Sequence, residues 1–106
     1  YNGPIRGIKD NPDVFVNRER KLAVTEHAER NAIFNALREG VDIRESTIYV
    51  THMACVECAK AICQSGIRCV KHGTNPDFEL RWADSIAESM SIFEEVGVPV
   101  ERVEEF

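Results

Sequence analysis

Residues 47–66 read TIYVTHMACVECAKAICQSG. The stretch changes character at its middle. Thr47-Ile48-Tyr49-Val50-Thr51 is rich in β-branched and aromatic residues, the composition of a buried strand. From about Val56 to Ser65 the pattern is helical, and Gly66 supplies the stop. A strand that feeds directly into a helix is the first half of an α/β crossover unit. Cys55 falls at the junction and Cys58 one helical turn later, so the two thiols face the same way. The N-terminus of a helix carries a partial positive charge that lowers thiol pKa, favouring the thiolates that a metal requires.

The flanking sequence extends the same alternation. A helix is expected from about Thr25 to Glu39, with Ala28, Ala32, Ile33, Ala36 and Leu37 on one face, Thr25 as its cap and Gly40 at its end. Downstream, Ile67 to Lys71 reads as a short strand and Gly73 to Pro76 as a turn. One long helix is expected from about Phe78 to Val96, with a core-facing stripe of Trp82, Ile86, Met90 and Phe93. Gly97 ends it, and Val98 to Val103 is the last strand. Residues 1 to 17 read as loop, punctuated by glycine, proline and asparagine, with a short helical turn from Asn17 to Lys21. The order helix, strand, helix, strand, helix, strand argues for an α/β domain with a mainly parallel sheet, one domain over residues 1–106.

Composition narrows the function. The net charge of the 106 residues is −5, and no apolar run approaches the ~18 residues of a membrane span. Glu94, Glu95, Glu101, Glu104 and Glu105 crowd the end of the chain, which disfavours a nucleic-acid partner. A small phosphorylated substrate needs only a few local donors and stays open. Cys55-Val56-Glu57-Cys58 is a spacing that suits a metal or redox site in a reducing compartment, so the cytoplasm is the expected location.

The metal reading asks for further ligands. Catalytic zinc takes three from protein and keeps one position for water. His27, in His27-Ala28-Glu29 at the start of the earlier helix, is the best third donor. His-x-Glu, then 25 residues, then Cys-x-x-Cys matches the ligand signature of zinc deaminases. Glu29, two residues from the His ligand, can reach a zinc water without binding the metal and shuttle its proton. A structural zinc site would need a fourth ligand from His52, Cys63 or Cys69. A redox pair would leave His27-Ala28-Glu29 unexplained. Cys63 and Cys69 otherwise read as small buried apolar residues. His52 and His72 read as loop residues near the site mouth, with His52 within reach of substrate.

HAERNAI (27–33), STIYVTHMACVECAKAICQSGI (46–67) and YNGPIRG (1–7) together resemble the deoxycytidylate (dCMP) deaminases of the cytidine deaminase-like superfamily, over nearly the whole chain. The resemblance implies a three-layer α/β/α fold built on a five-stranded sheet. It also implies that the family's first helix and first two strands would precede Tyr1, leaving residues 47–51 as a sheet edge. The implied activity is hydrolytic deamination of dCMP to dUMP at Zn²⁺ held by His27, Cys55 and Cys58, with zinc-bound hydroxide attacking C4 and Glu29 moving the protons. Asn2 would contact sugar or base, Arg6 the substrate phosphate, and Asn31 would shape the pocket. A small-molecule nucleotide is the implied partner, and homo-oligomers are usual in the family. Two positions differ from the family pattern: Ala54 stands in place of proline before the first cysteine, and Pro4 comes one position early in the loop. The motif leaves room for another cytosine nucleotide or nucleoside, a guanine-like base, or a non-catalytic zinc-stabilised module.

Overall fold

The computed structural model of the protein describes residues 3–8 and 17–104. In chain order the elements are β1 (Gly3–Pro4), α1 (Arg18–Val24), β2 (Thr25–Glu26), α2 (Ala28–Glu39), β3 (Thr47–Val50), α3 (Val56–Gln64), β4 (Cys69–His72), α4 (Pro76–Arg81), α5 (Ala83–Val96) and β5 (Val100–Arg102). Strands β3, β4 and β5 form a parallel sheet in that order. Val50 lies opposite His72, and His72 opposite Arg102. The strand–helix–strand alternation read from the sequence thus forms an α/β domain with parallel strands and helical crossovers.

Sequential strand order places successive right-handed crossovers on one side of a sheet. Helices α3 and α5 accordingly pack on each other, and α2 packs on α3. Between them and the sheet lies the core: Val50, Met53, Cys58, Ile62, Ile67, Val70 and Phe93. Phe93 is 1% exposed, and burying a side chain of that size contributes roughly 1.5–3 kcal/mol. On the opposite face Tyr49, Lys71 and Glu101 stand side by side in register. Lys71 Nζ lies 5.9 Å from the Tyr49 ring centroid and 3.7 Å from Glu101 Oε2. Tyr49 and Glu101 in this row are solvent-exposed.

Three local expectations are corrected. The helix expected over 78–96 is broken at Trp82, whose backbone (φ −113°, ψ 25°) leaves helical geometry. Asn75 caps the first piece, its side chain accepting from Phe78 N, with Pro76 at the start where its missing N–H costs nothing. The break takes Trp82 out of the stripe: Phe93 is core and Ile86 is partly buried, while Trp82 is 43% and Met90 42% exposed. The loop expected over 1–17 contains a strand, β1, paired antiparallel with β2 (Gly3 to Glu26, Pro4 to Thr25). Two residues on each side are too few to show a period, so the pairing has no sequence signal. It places Thr25 in a strand instead of at a helix cap. Lastly, Cys63 and Cys69 are only half-buried.

Among the described residues, no helix is long and apolar enough to cross a membrane.

Candidate metal centre

Helices α2 and α3 begin at the same place in the fold, and each is capped by a residue of the candidate donor group. His27 is the N-cap of α2 and Cys55 the N-cap of α3. Both have extended backbones (φ −67°, ψ 151° and φ −74°, ψ 172°), and neither side chain caps its own helix. Their donor atoms are therefore free to turn towards each other. Cys58, one turn into α3, completes the group from the buried side. The orphan N–H of Val56 at the start of α3 is satisfied from a distance, by Ser85 Oγ at 3.2 Å.

His27 Nδ1 lies 3.4 Å from Cys55 Sγ and 3.4 Å from Cys58 Sγ. All three donor atoms lie within 4.8 Å of one another. Tetrahedral zinc with ordinary Zn–S and Zn–N bonds sets neighbouring donors about 3.6–3.8 Å apart. The spacing and the soft N/S donor set therefore fit zinc, and fit it better than a hard oxygen-seeking cation. Among the described residues, none of His52, Cys63 and Cys69 joins the group. Three protein donors are what a catalytic site offers, where a structural site takes four.

The two thiols are shifted in opposite directions. The hydrogen bond from the Cys58 thiol holds Cys55 down to about 5, against the opposing effect of burial and with help from the Cys58 backbone and His27. Cys58 is pushed well above the usual thiol range by that same bond, by burial and by the Glu29 carboxylate. Glu29 thus stands within reach of Cys58, half-buried on the first turn of α2.

With this geometry in view, relatedness can be read. Residues 8–74 match the family described as the cytidine and deoxycytidylate deaminase zinc-binding region. The chain belongs to this deaminase family. An uncharacterized deaminase in the luxG 3′ region of Aliivibrio fischeri is 40% identical over 101 residues, 94% of this chain and 66% of that one. The deoxycytidylate deaminase of Enterobacteria phage T4 is 57% identical over 42 residues, 40% of this chain and 22% of that one. The chain thus spans less than two thirds of the length of these relatives. The crystal structure of dCMP deaminase from the cyanophage S-TIM5 in apo form superposes with a TM-score of 0.67 at 25% identity, covering 96% of this chain and 67% of that one. The α/β sheet and its helices are therefore the deaminase fold, and the matched zinc-binding region contains His27, Cys55 and Cys58, a group placed to hold a metal ion.

The other residues singled out in the sequence are dispersed. Arg6 and Asn31 line one cavity of about 600 Å³ together with Phe34 and Arg38. Asn31 Nδ2 also donates to the Glu26 carbonyl at 3.3 Å, tying α2 to β2. A second cavity of about 340 Å³ lies beside the metal ligands and is lined by His27, Cys55, Arg30, Ser85 and Trp82, among others. His52 is half-buried, with its ring stacked on Phe78 at 3.7 Å between centroids. Asn2 lies outside the described residues. His72 Nδ1 donates to the Gly73 carbonyl at 2.8 Å. Sequence reasoning missed Trp82 and Ser85, because a helical stripe gives no sign of where the helix will break.

Proposed function

We propose that the protein is a zinc-dependent hydrolytic deaminase that converts dCMP to dUMP. The observation that carries this reading is the convergence of three soft donors, without a fourth among the described residues, on two helix N-termini with Glu29 alongside. His27, Cys55 and Cys58 would hold the metal. Bound zinc acidifies water and makes a nucleophile available near neutral pH. Glu29 is the proton carrier. It accepts a proton from the attacking water and delivers it to N3 of the ring, then carries the remaining hydroxyl proton to the C4 amino group, which leaves as ammonia as the C4–N bond breaks and the C4 carbonyl forms. The positive ends of α2 and α3 support the negative charge gathered at this point.

The monophosphate is supported by names and by charge. The phage T4 relative and the cyanophage structure are both dCMP enzymes. Arg6 shares its cavity with Arg38, so this region carries positive charge in a protein of net charge −5. We assign Arg6 to the substrate phosphate, Asn31 and Asn2 to shaping the nucleoside site, and His52 to the loop that borders it. The acidic balance of the chain supports a small nucleotide over a nucleic acid as partner. A homo-oligomer in the cytoplasm is the setting we infer from the resemblance to the deaminase family.

Ammonia release from dCMP, dCTP, deoxycytidine, cytosine and guanine, with zinc assayed on the same sample, tests the reading. Turnover greatest on dCMP with about one zinc per chain is expected. Glu29→Gln should retain zinc and lose activity by about 10²–10⁴-fold. Zinc without turnover on any of the five would sink the enzymatic reading and leave a metal-stabilised module.

A further inference from the structure

Trp82 is the single tryptophan of the chain, and nothing in its helical spacing marks it as functional. Its setting does. It occupies the break between α4 and α5 and lines the cavity that also holds His27 and Cys55, with 43% of its surface exposed. One ring contact holds it there. Phe78 stacks beside it, with centroids 6.0 Å apart and planes 26° apart, and His52 stacks in turn on Phe78 at 3.7 Å and 21°. The row of rings therefore runs from the loop that carries Cys55 out to the cavity wall. Three residues on, Ser85 Oγ receives the Val56 N–H and ties the first turn of α5 to the start of α3. A large aromatic surface left open to a cavity, yet braced by Phe78 and set at the start of a helix tied to α3, is a preorganised stacking surface.

We propose that Trp82 is a specificity-determining residue of this site, its indole stacking on the planar nitrogen heterocycle presented to the metal centre. The inference rests on the deaminase reading and deepens it. A π face is shared by all nucleobases, so stacking supplies affinity and orientation, while hydrogen bonds select among bases. The rest of the cavity lining suits that division. Thr25, Glu26 and Ser85 add polar groups to the same lining as the indole of Trp82.

A chain with one tryptophan reports on that residue alone. Zinc-loaded Glu29→Gln protein, which binds without turning over, is titrated with dCMP, deoxycytidine and deoxyribose 5-phosphate while the Trp82 emission is followed. Saturable quenching by the first two and none by the base-free sugar phosphate is expected. In the active background, Trp82→Leu should raise KM for dCMP by about ten-fold or more with zinc content unchanged, and Trp82→Phe should keep most of the affinity. Turnover of dCMP with silent emission, or with KM unmoved by Trp82→Leu, overturns the role of Trp82 and leaves the deaminase reading standing. Silent emission together with no turnover by the unmutated protein overturns both. If Trp82→Leu loses zinc or unfolds, the titration and the Trp82→Phe variant decide.

Discussion

Ser85 Oγ accepts the backbone N–H of Val56 at 3.2 Å, across 29 positions of sequence. Val56 is the first residue of α3 and follows Cys55 directly, so this bond joins α5 to the segment that presents the candidate metal donors. A net hydrogen bond of this kind contributes about 0.5–1.5 kcal/mol, and leaving its donor unpaired costs up to about 3. Ser85→Ala is therefore expected to lower unfolding stability by roughly 1–2 kcal/mol. Urea unfolding of the zinc-loaded protein measures it, and an unchanged midpoint would show that water replaces the hydroxyl without loss.

Metal uptake should release close to one thiol proton near pH 7. Cys55, held at about 5, is already ionised there, whereas Cys58 keeps its proton until metal displaces it. Calorimetric titration with zinc in two buffers of different ionisation enthalpy reads the number directly. Release of two protons would mean that the opposite shifts of the two thiols do not persist in solution.

The same pair gives the metal-free protein a pH signature. Cys55 is lowered in the fold from 9.0 to about 5, so its contribution is fully present above the unfolded value and is lost as pH falls towards 5. Cys58 is raised, so its thiol favours the fold at lower pH and opposes it once pH exceeds the unfolded thiol value. Stability of the metal-free chain should climb from about pH 5 to about pH 8–9 and then fall. Thermal unfolding across that range tests the sign, with Cys55→Ser expected to flatten the lower limb.

Arg6 should matter to a phosphate and to nothing else. Arg6→Ala is expected to raise KM for dCMP about ten-fold, the scale of one charged contact, and to leave deoxycytidine unaffected. An equal effect on both substrates would place Arg6 in structure and not in phosphate recognition.

Gly66 ends α3 with φ +83°, and a Cβ there would come within 3.2 Å of Arg44 Cγ. Gly66 also passes its carbonyl to the Glu45 N–H at 2.9 Å. Gly66→Ala combines left-handed strain with a tight contact and should cost about 1–2 kcal/mol in chemical unfolding. Gly40→Ala, with φ +71° and open space around the new methyl, should cost less.

Local chemistry made much of this protein legible in advance. Thr47–Val50, Val56–Gln64 and Ala28–Glu39 follow from periodicity, β-branching and terminal glycines, since those signals act over a few residues. His-x-Glu and Cys-x-x-Cys pointed to His27, Cys55 and Cys58, which the fold brings together, because ligand chemistry dictates residue type and helical spacing dictates interval. What the sequence could not decide was anything set by packing between distant segments. The β1–β2 pairing brings residues 3–4 to residues 25–26 through backbone bonds that carry no side-chain pattern. The break at Trp82 turns a residue of the expected core stripe onto the cavity beside His27 and Cys55. Arg6 and Asn31 lie in a different cavity from the one beside the candidate metal donors, and β1, which leads to Arg6, is placed by its pairing with β2. The residue types of the metal centre are thus a property of the chain, while the walls around it belong to the fold, because non-local contacts decide which faces meet.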